Sequence, residues 1–74
     1  MNGMKMTRIT SYLNERLVAE HIYLGDQVRA IRRFRKEYPE HEMCVVVAED
    51  YDPDDTKNKS HYEACVRAGC VHVW

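Results

Sequence analysis

The sequence predicts an α+β fold in which a small sheet of three or four strands carries helices on one face. Three patterns lead to this prediction: alternating β-branched and polar residues early in the chain, an amphipathic segment after them, and a short apolar run before a second helical stretch. The predicted order is N-terminal β-hairpin, amphipathic helix, central strand, second helix and short C-terminal edge strand. With 74 residues and no repeat or linker, we expect one small domain over residues 1–74.

The hairpin is predicted from two alternating segments, residues 6–13 and 16–24, joined by Asn14-Glu15. Asn tolerates the left-handed backbone of a two-residue turn, whereas Glu is less suited to it than Gly, so the turn type stays open. A helix is the alternative, because Ile9, Leu13 and Leu17 are spaced by four. A two-residue register gives two mixed faces, one with Leu13, Ser11, Ile9, Arg16, Val18 and Glu20 and the other with Tyr12, Leu17, Ala19 and Tyr23.

The amphipathic helix is predicted between two helix boundaries. Gly25 breaks the preceding strand, Asp26 is a suitable N-cap, and Pro39 disfavours helical geometry at Tyr38. At about 100° per residue, one side is apolar and the opposite side is cationic. We expect burial on the apolar side, which holds Ala30, Ile31, Phe34 and Tyr38. We expect exposure on the cationic side, which holds Arg29, Arg32, Arg33 and Lys36.

The remaining elements follow from an apolar run and a carboxylate-rich turn. Cys44 to Ala48 is continuously apolar, which predicts a central strand covered on both faces. Residues 50–56 are typical of a turn, and Asp55 or Thr56 then caps a helix over residues 57–68.

The second helix should end at Gly69, which suits a left-handed closing position, with Val71 placed for a hydrophobic contact. Residues 71–74 alternate and predict a short edge strand.

The charge balance excludes a strongly basic or membrane-inserted molecule. Eleven basic and twelve acidic residues give a net charge of −1, so attraction to nucleic acid requires a local patch. No run approaches the roughly 18 apolar residues of a membrane span, and the first residues lack a signal-peptide core. Three cysteines without a regular spacing indicate reduced thiols. We therefore expect a cytoplasmic location, in the host cell if the protein is phage-encoded, and no membrane contact.

The cationic side of the first helix is the main candidate site. Arg29 with Arg33 and Arg32 with Lys36 are like-charged pairs four residues apart, which repel each other. An acidic protein surface would neutralise them, and a nucleic-acid backbone would do so too. The third alternative is a solvated surface without a partner.

The acidic turn is the second candidate site. Its five carboxylates match the five cations of the helix, so the two segments could pair within a subunit, pair across a dimer, or bind separate partners. A carboxylate-rich surface can also imitate phosphates. The turn residues are Glu49, Asp50, Asp52, Asp54 and Asp55, and the helix cations are Arg29, Arg32, Arg33, Arg35 and Lys36.

Catalytic and metal chemistry have little support in the sequence. The turn lacks the Gly and Glu that an EF-hand loop requires at its sixth and twelfth positions. Zinc ligation would draw on Cys65, Cys70 and His72 with Cys44 or His61, but tightly paired ligands are missing. Cys70 and His72 form a Cys–His pair with no third group to orient it. We expect no enzyme activity, no catalytic residue, no metal and no cofactor.

Four segments of the chain resemble a family of small proteins from prophages and other mobile elements of gut Firmicutes. The resemblance implies a small accessory protein. The location of the family's genes on mobile elements implies interference with a host defence system by binding, as in anti-CRISPR proteins. It assigns no role to any residue. The segments are Thr10-Ser11-Tyr12-Leu13-Asn14, Glu37-Tyr38-Pro39-Glu40, Val47-Ala48-Glu49-Asp50-Tyr51-Asp52 and Tyr62-Glu63-Ala64-Cys65-Val66-Arg67-Ala68-Gly69-Cys70-Val71.

These observations predict a non-enzymatic interaction protein that binds, and in binding inhibits, a host macromolecule such as a defence-system nuclease complex. The predicted contacts are the cationic helix side or the acidic turn. The alternative is a nucleic-acid-binding protein that uses the Arg-rich side. A protein partner is expected, and a homodimer is a further expectation, because a short chain has little core and carries apolar residues near its ends, namely Met1, Met4, Met6 and Trp74.

Overall fold

Residues 5–72, which the computed structural model describes, build a four-stranded mixed sheet with two helices. The strand order is β3-β1-β2-β4, with β1 antiparallel to both β2 and β3, and β4 parallel to β2. The α+β class and the order of elements are confirmed. The elements are β1 (Met6–Leu13), β2 (Arg16–Leu24), α1 (Gln27–Glu37), β3 (Val45–Tyr51), α2 (Lys59–Ala68) and β4 (Val71–His72).

The hairpin of β1 and β2 is confirmed, and the helical alternative is wrong. Asn14 and Glu15 both have positive φ, 53° and 66°, as a two-residue turn of matching twist requires. The register then shifts, because Tyr12 pairs with Leu17 but Ser11 pairs with Ala19. The extra residue, Val18, forms a β-bulge.

The bulge overturns the predicted division of the hairpin into faces. Beyond Val18, Ala19 and Tyr23 share a face with Ser11 and Ile9, because directly paired residues lie on the same side of a sheet. The simple two-residue register assumed no insertion, so it placed these side chains on opposite faces.

Helices α1 and α2 lie on opposite faces of the sheet, so the prediction of helices on one face is wrong. Two separate core clusters show this arrangement. The face under α1, called the α1 face, buries Ile9, Tyr23, Ala30 and Phe34. The opposite α2 face buries Met6, Ile22, Tyr51 and Cys65.

The two-sided core has a simple cause in the strand sequences. Ile22 and Tyr23 are adjacent in β2 and both are fully buried, yet adjacent strand residues point to opposite faces. Each face therefore needs its own cover.

Strand β3 lies at an edge of the sheet, so the prediction of a central strand covered on both faces is wrong. Val46 and Ala48 pack against the α1 cluster, whereas Val45 and Val47 on the other side are 66% and 38% exposed. Continuous apolar composition here does not mean double cover, because α2 packs over the Met6 end of the sheet and leaves the hairpin end of the α2 face open.

The boundaries and sidedness of α1 match the sequence prediction. Asp26 is the N-cap, its Oδ1 accepting a hydrogen bond from the Arg29 backbone N–H at 2.9 Å, and Tyr38 is the C-cap before Pro39. Ala30 and Phe34 are fully buried. The remaining predicted core residues, Ile31 and Tyr38, are half-buried.

The chain enters α2 through a 3₁₀ turn over Thr56–Asn58. The Asp55 carboxylate accepts from the Lys57 backbone N–H at 3.1 Å and so caps this 3₁₀ turn. The predicted cap of the α-helix itself is wrong, because α2 begins two residues later than predicted, after Asn58, whose side chain makes no capping bond. Gly69 ends the helix with a left-handed φ of 77°, and Val71 packs against the α2 cluster, both as predicted.

The last predicted strand is present as β4, at the edge of the sheet beside β2. Residues 73–74 of that prediction lie outside the described residues, as do Met1, Met4 and Trp74, on which the expectation of a dimer partly depends. Met6, which belonged to the same expectation, is fully buried in the core. None of the helices in residues 5–72 is long and apolar enough to cross a membrane.

Candidate functional site

The exposed side of α1 presents a line of cations. Arg29, Arg32 and Lys36 are all exposed and succeed one another by three and four residues, so they follow one stripe of the helix over about 10 Å. Together with Arg33 they form what is called here the cationic face. A shallow depression on this surface is lined by Asp26, Val28, Arg29, Arg32 and Arg33.

Arg33 differs from the other members because internal contacts hold it. Its Nη2 lies 3.2 Å from Oε2 of Glu37, and its guanidinium lies 5.2 Å from the centre of the Tyr23 ring. The prediction that Arg33 is exposed is therefore only partly met, since the residue is half-buried. It forms a fixed edge beside three cations that have no ion pair with any described residue.

Arg35 makes hydrogen bonds within the protein. Its Nη1 donates to the backbone carbonyl oxygens of His41 and Glu42 at 3.0 and 3.4 Å. These bonds tie α1 to the turn that follows it.

Most carboxylates of the acidic turn contact backbone N–H groups or other side chains of the protein. Asp52 Oδ1 accepts from the backbone N–H of Asp54 at 2.9 Å, and Asp55 caps the 3₁₀ turn. Asp50 Oδ1 accepts from the Gln27 amide at 3.1 Å, and Glu49 Oε1 lies 3.9 Å from Arg8 Nη1. Asp52 and Asp55 thus have a local role in the turn, whereas Glu49 and Asp50 lie in β3, so the predicted start of the turn at residue 50 is wrong.

The cationic face and the acidic turn do not pair within the chain. Within residues 5–72, ion pairs join Arg8 to Glu20 and Glu49, Arg33 to Glu37, and two histidines to Glu20 and Glu37. None of them links α1 to the turn. Pairing inside one subunit, one of the three alternatives drawn from the sequence, is therefore excluded for the described residues.

A histidine network on the α1 face was not anticipated from the sequence. His21 Nδ1 lies 3.0 Å from His72 Nε2, and the His72 ring stacks on Tyr23 with 4.4 Å between ring centres. Tyr23 donates to Glu37 Oε1 at 3.3 Å. Burial lowers the pKa of both histidines. The charge of His72 lowers the pKa of His21 further, and the charge of Arg33 does the same for His72.

A second polar cluster lies on the α2 face, between β2 and α2. Glu20 Oε2 lies 3.1 Å from His61 Nε2 and 2.6 Å from Arg8 Nε, and Cys65 Sγ lies 3.7 Å from the same His61 nitrogen. The Tyr51 hydroxyl lies 2.8 Å from His61 Nδ1.

The protonation of this cluster reflects both burial and its contacts. Burial acts to raise the pKa of the Glu20 carboxyl, but hydrogen bonds from His61 and Arg8 outweigh it and the pKa is lowered. Burial, followed by the negative charge of Glu20, raises the pKa of the Cys65 thiol.

This arrangement does not suit a Cys–His–acid catalytic site. In such a site the histidine uses one ring nitrogen for the nucleophile and the other for the acid, whereas Cys65 and Glu20 both face Nε2 of His61. The raised pKa of Cys65 also disfavours its thiolate.

The sequence contained part of the signal for this cluster. His61 and Cys65 are four residues apart in a segment predicted to be helical, and residues at that spacing share a helix face. Glu20 could not be found in the same way, because its position depends on which face of the sheet α2 covers.

The other sulfur and histidine pairs are separated or incomplete. Cys70 packs with the α2 cluster, while His72 contacts residues of the α1 face, so the sheet separates the Cys–His pair considered from the sequence. Cys44 Sγ lies 3.6 Å from His41 Nδ1. In the described part of the chain, Glu20, His61 and Cys65 are the one group of three potential metal ligands.

Compared with protein-family models, curated proteins and solved structures, the chain shows no significant match to any of them. A functional assignment must therefore come from the geometry of its own residues.

Proposed function

We propose that this chain is a non-enzymatic binding protein whose cationic face engages the acidic surface of a protein partner. Arg29, Arg32 and Lys36 provide three exposed cations of the contact, and Arg33 provides one that internal contacts hold in place. Bidentate hydrogen bonds to carboxylates are the interaction that arginine makes best, and arginine is common at the centres of protein interfaces.

The observation that carries the proposal is that three of the four cations of this face have no acidic partner among the described residues. Among residues 5–72, no acidic side chain pairs with Arg29, Arg32 or Lys36, although the acidic turn carries a matching charge. Within residues 5–72, only the pair of Arg33 with Glu37 offsets the repulsion between like charges along this face, and an acidic partner would relieve the rest.

An apolar side chain within the cationic face favours a protein over a nucleic acid. Val28 lines the same depression as Arg29 and Arg32 and is 61% exposed. Protein interfaces combine arginines with buried apolar contacts, whereas affinity for a nucleic-acid backbone comes mainly from phosphate contacts.

The resemblance to small mobile-element proteins leads us to propose that this partner is a component of a host defence system, such as a nuclease complex. Occupation of the partner's acidic surface would then inhibit it without any chemical step.

Parallel affinity capture from host cytoplasm tests the proposal. The bait proteins are the wild type, a cationic-face variant (Arg29→Gln, Arg32→Gln, Lys36→Gln) and a control variant (Lys57→Gln, Lys59→Gln, Arg67→Gln). Each variant loses three exposed cations, so net charge changes equally in both. We expect the wild type and the control variant to retain the same protein, and the cationic-face variant to lose it.

Two outcomes would contradict the proposal. Equal loss in both variants would indicate a general charge effect. Loss of the complex on nuclease treatment, with an affinity that falls steeply as salt rises, would indicate the nucleic-acid alternative.

A further inference from the structure

We propose that Glu20, His61 and Cys65 form a binding site for one Zn²⁺ ion between β2 and α2. The site lies on the α2 face, apart from the cationic face, and does not depend on the proposed partner.

The donor set and its spacing fit this ion. Carboxylate oxygen, imidazole nitrogen and thiolate sulfur are the three ligand types that zinc takes in proteins. The three donor atoms all lie within 4.8 Å of one another, with 3.1 Å between Glu20 Oε2 and His61 Nε2 and 3.7 Å between His61 Nε2 and Cys65 Sγ. Tetrahedral ligands at the usual zinc distances lie roughly 3.3 to 3.6 Å apart, so little movement is required.

Tyr51 orients the imidazole for ligation. The Tyr51 hydroxyl donates to the backbone carbonyl of Asn58 at 3.3 Å, which leaves its oxygen to accept from His61 Nδ1–H at 2.8 Å. Without an ion, His61 Nε2–H donates to Glu20, and Zn²⁺ would replace that proton while the Nδ1 proton stays hydrogen-bonded to the Tyr51 oxygen. A hydrogen bond at the second ring nitrogen is the usual way in which proteins orient a metal-binding histidine.

The arginine beside Glu20 is compatible with a bound cation. Arg8 Nε donates to Glu20 Oε2, and Arg8 also reaches Glu49. A carboxylate has two oxygens and about four acceptor positions, so Glu20 can bind zinc while keeping Arg8 as an orienting partner. Burial keeps Cys65 a thiol in the absence of metal, so zinc binding would release its proton to solvent. The Cys65 thiolate formed in this way and the carboxylates of Glu20 and Glu49 then offset the charges of Arg8 and the ion.

The scaffold holds two ligands rigidly and leaves access to the third. His61 and Cys65 are one turn apart on α2, and Cys65 is only 7% exposed. The His61 and Glu20 side chains are 36% and 24% exposed, so an ion can enter from solvent. Three protein ligands leave the fourth tetrahedral position to water.

Metal titration of the reduced full-length chain tests the site. Zn²⁺ affinity is measured by competition with a chromophoric chelator, and Co²⁺ is used as a spectroscopic substitute. We expect one equivalent of Zn²⁺, tetrahedral d–d absorption from Co²⁺, and a sulfur-to-metal charge-transfer band. Cys65→Ala should abolish the charge-transfer band. Glu20→Gln should weaken metal binding but keep the band.

The chain offers a matched control in Cys44, which also lies beside a histidine but has no third ligand among the described residues. Cys44→Ala should bind Zn²⁺ as the wild type does. Tyr51→Phe should reduce the affinity about 10- to 100-fold, the usual effect of removing an orienting partner.

A wild-type measurement covers the case in which a variant does not fold. Zn²⁺ should shift the imidazole NMR signals of His61 and leave those of His21 and His41 in place. Unshifted His61 signals, a Co²⁺ complex without the thiolate band, or equal binding by Cys65→Ala and Cys44→Ala would each overturn the proposal.

Discussion

The two faces of the sheet are covered by helices in different ways. On the α1 face, eleven helical residues cover the strands, and the polar groups, His21, His72 and Glu37, interact beside a core that contains Tyr23 and Phe34. On the α2 face, a shorter helix covers one end, ionisable groups lie under it, and the apolar hairpin end stays open. The α1 face is thus specialised for stability, whereas the α2 face keeps convergent polar donors, the arrangement expected of a site.

The strongest test of this comparison is truncation of one aromatic side chain on each face. Phe34→Ala empties the centre of the α1 core, where the side chain is fully buried, and should lower the free energy of unfolding by about 3–5 kcal/mol. Tyr62→Ala on α2 removes a half-buried ring and should cost about 1 kcal/mol. Urea denaturation gives both values, and equal losses would show that the faces contribute alike.

The pH dependence of stability sharpens the same contrast. The folded state lowers the pKa of His72, so the unfolded chain binds the proton more readily as pH falls through 6.5. The free energy of unfolding should therefore decrease on acidification below about pH 7, by up to about 1.4 kcal/mol per pH unit for each such histidine. The groups that face His72 are His21 and Tyr23 from β2, Arg33 and Glu37 from α1, and the C-cap residue Tyr38.

Urea denaturation at a series of pH values measures this effect in the wild type and in His72→Gln. The variant should show a shallower slope between pH 7 and 5, because one proton-linked group is removed and His21, whose pKa is also lowered, remains. An unchanged slope would mean that His72 does not contribute.

The smallest predicted effect separates the cations of α1 from one another. Arg33→Gln loses the Tyr23 ring contact and the Glu37 pair, and should reduce stability by about 1 kcal/mol. Arg29→Gln removes an exposed cation that has no ion pair within residues 5–72 and should change stability by less than about 0.5 kcal/mol. Thermal denaturation compares the two, and a larger loss for Arg29→Gln would show that it has an internal role.

Local signals in the sequence were sufficient for most elements and their boundaries. The Asp26 cap, the left-handed Gly69 and the Asn14-Glu15 turn each act within a few residues, so their chemistry can be read from the chain. The apolar and cationic sides of α1 follow from helical periodicity in the same way.

What the sequence did not reveal depends on contacts between distant segments. The bulge at Val18 reverses the faces of β2, and no local residue pattern announces it. The edge position of β3 and the opposite placement of the helices follow from strand order, which periodicity does not contain. The contact of Glu20 with His61 and Cys65 depends on the bulge, the strand order and the placement of α2. The sequence therefore indicated only the pairing of His61 with Cys65 on one helix face.

The parallel pairing of β4 with β2 has a consequence for the order in which the chain folds. The pairing brings together residues as far apart in sequence as His21 and His72, separated by 51 positions, whereas the hairpin joins near neighbours. Closing so long a loop for a two-residue strand is slow and weakly rewarded. We therefore expect the outer edge of β2 to pair late in folding and its pairing with β4 to open locally in the native protein.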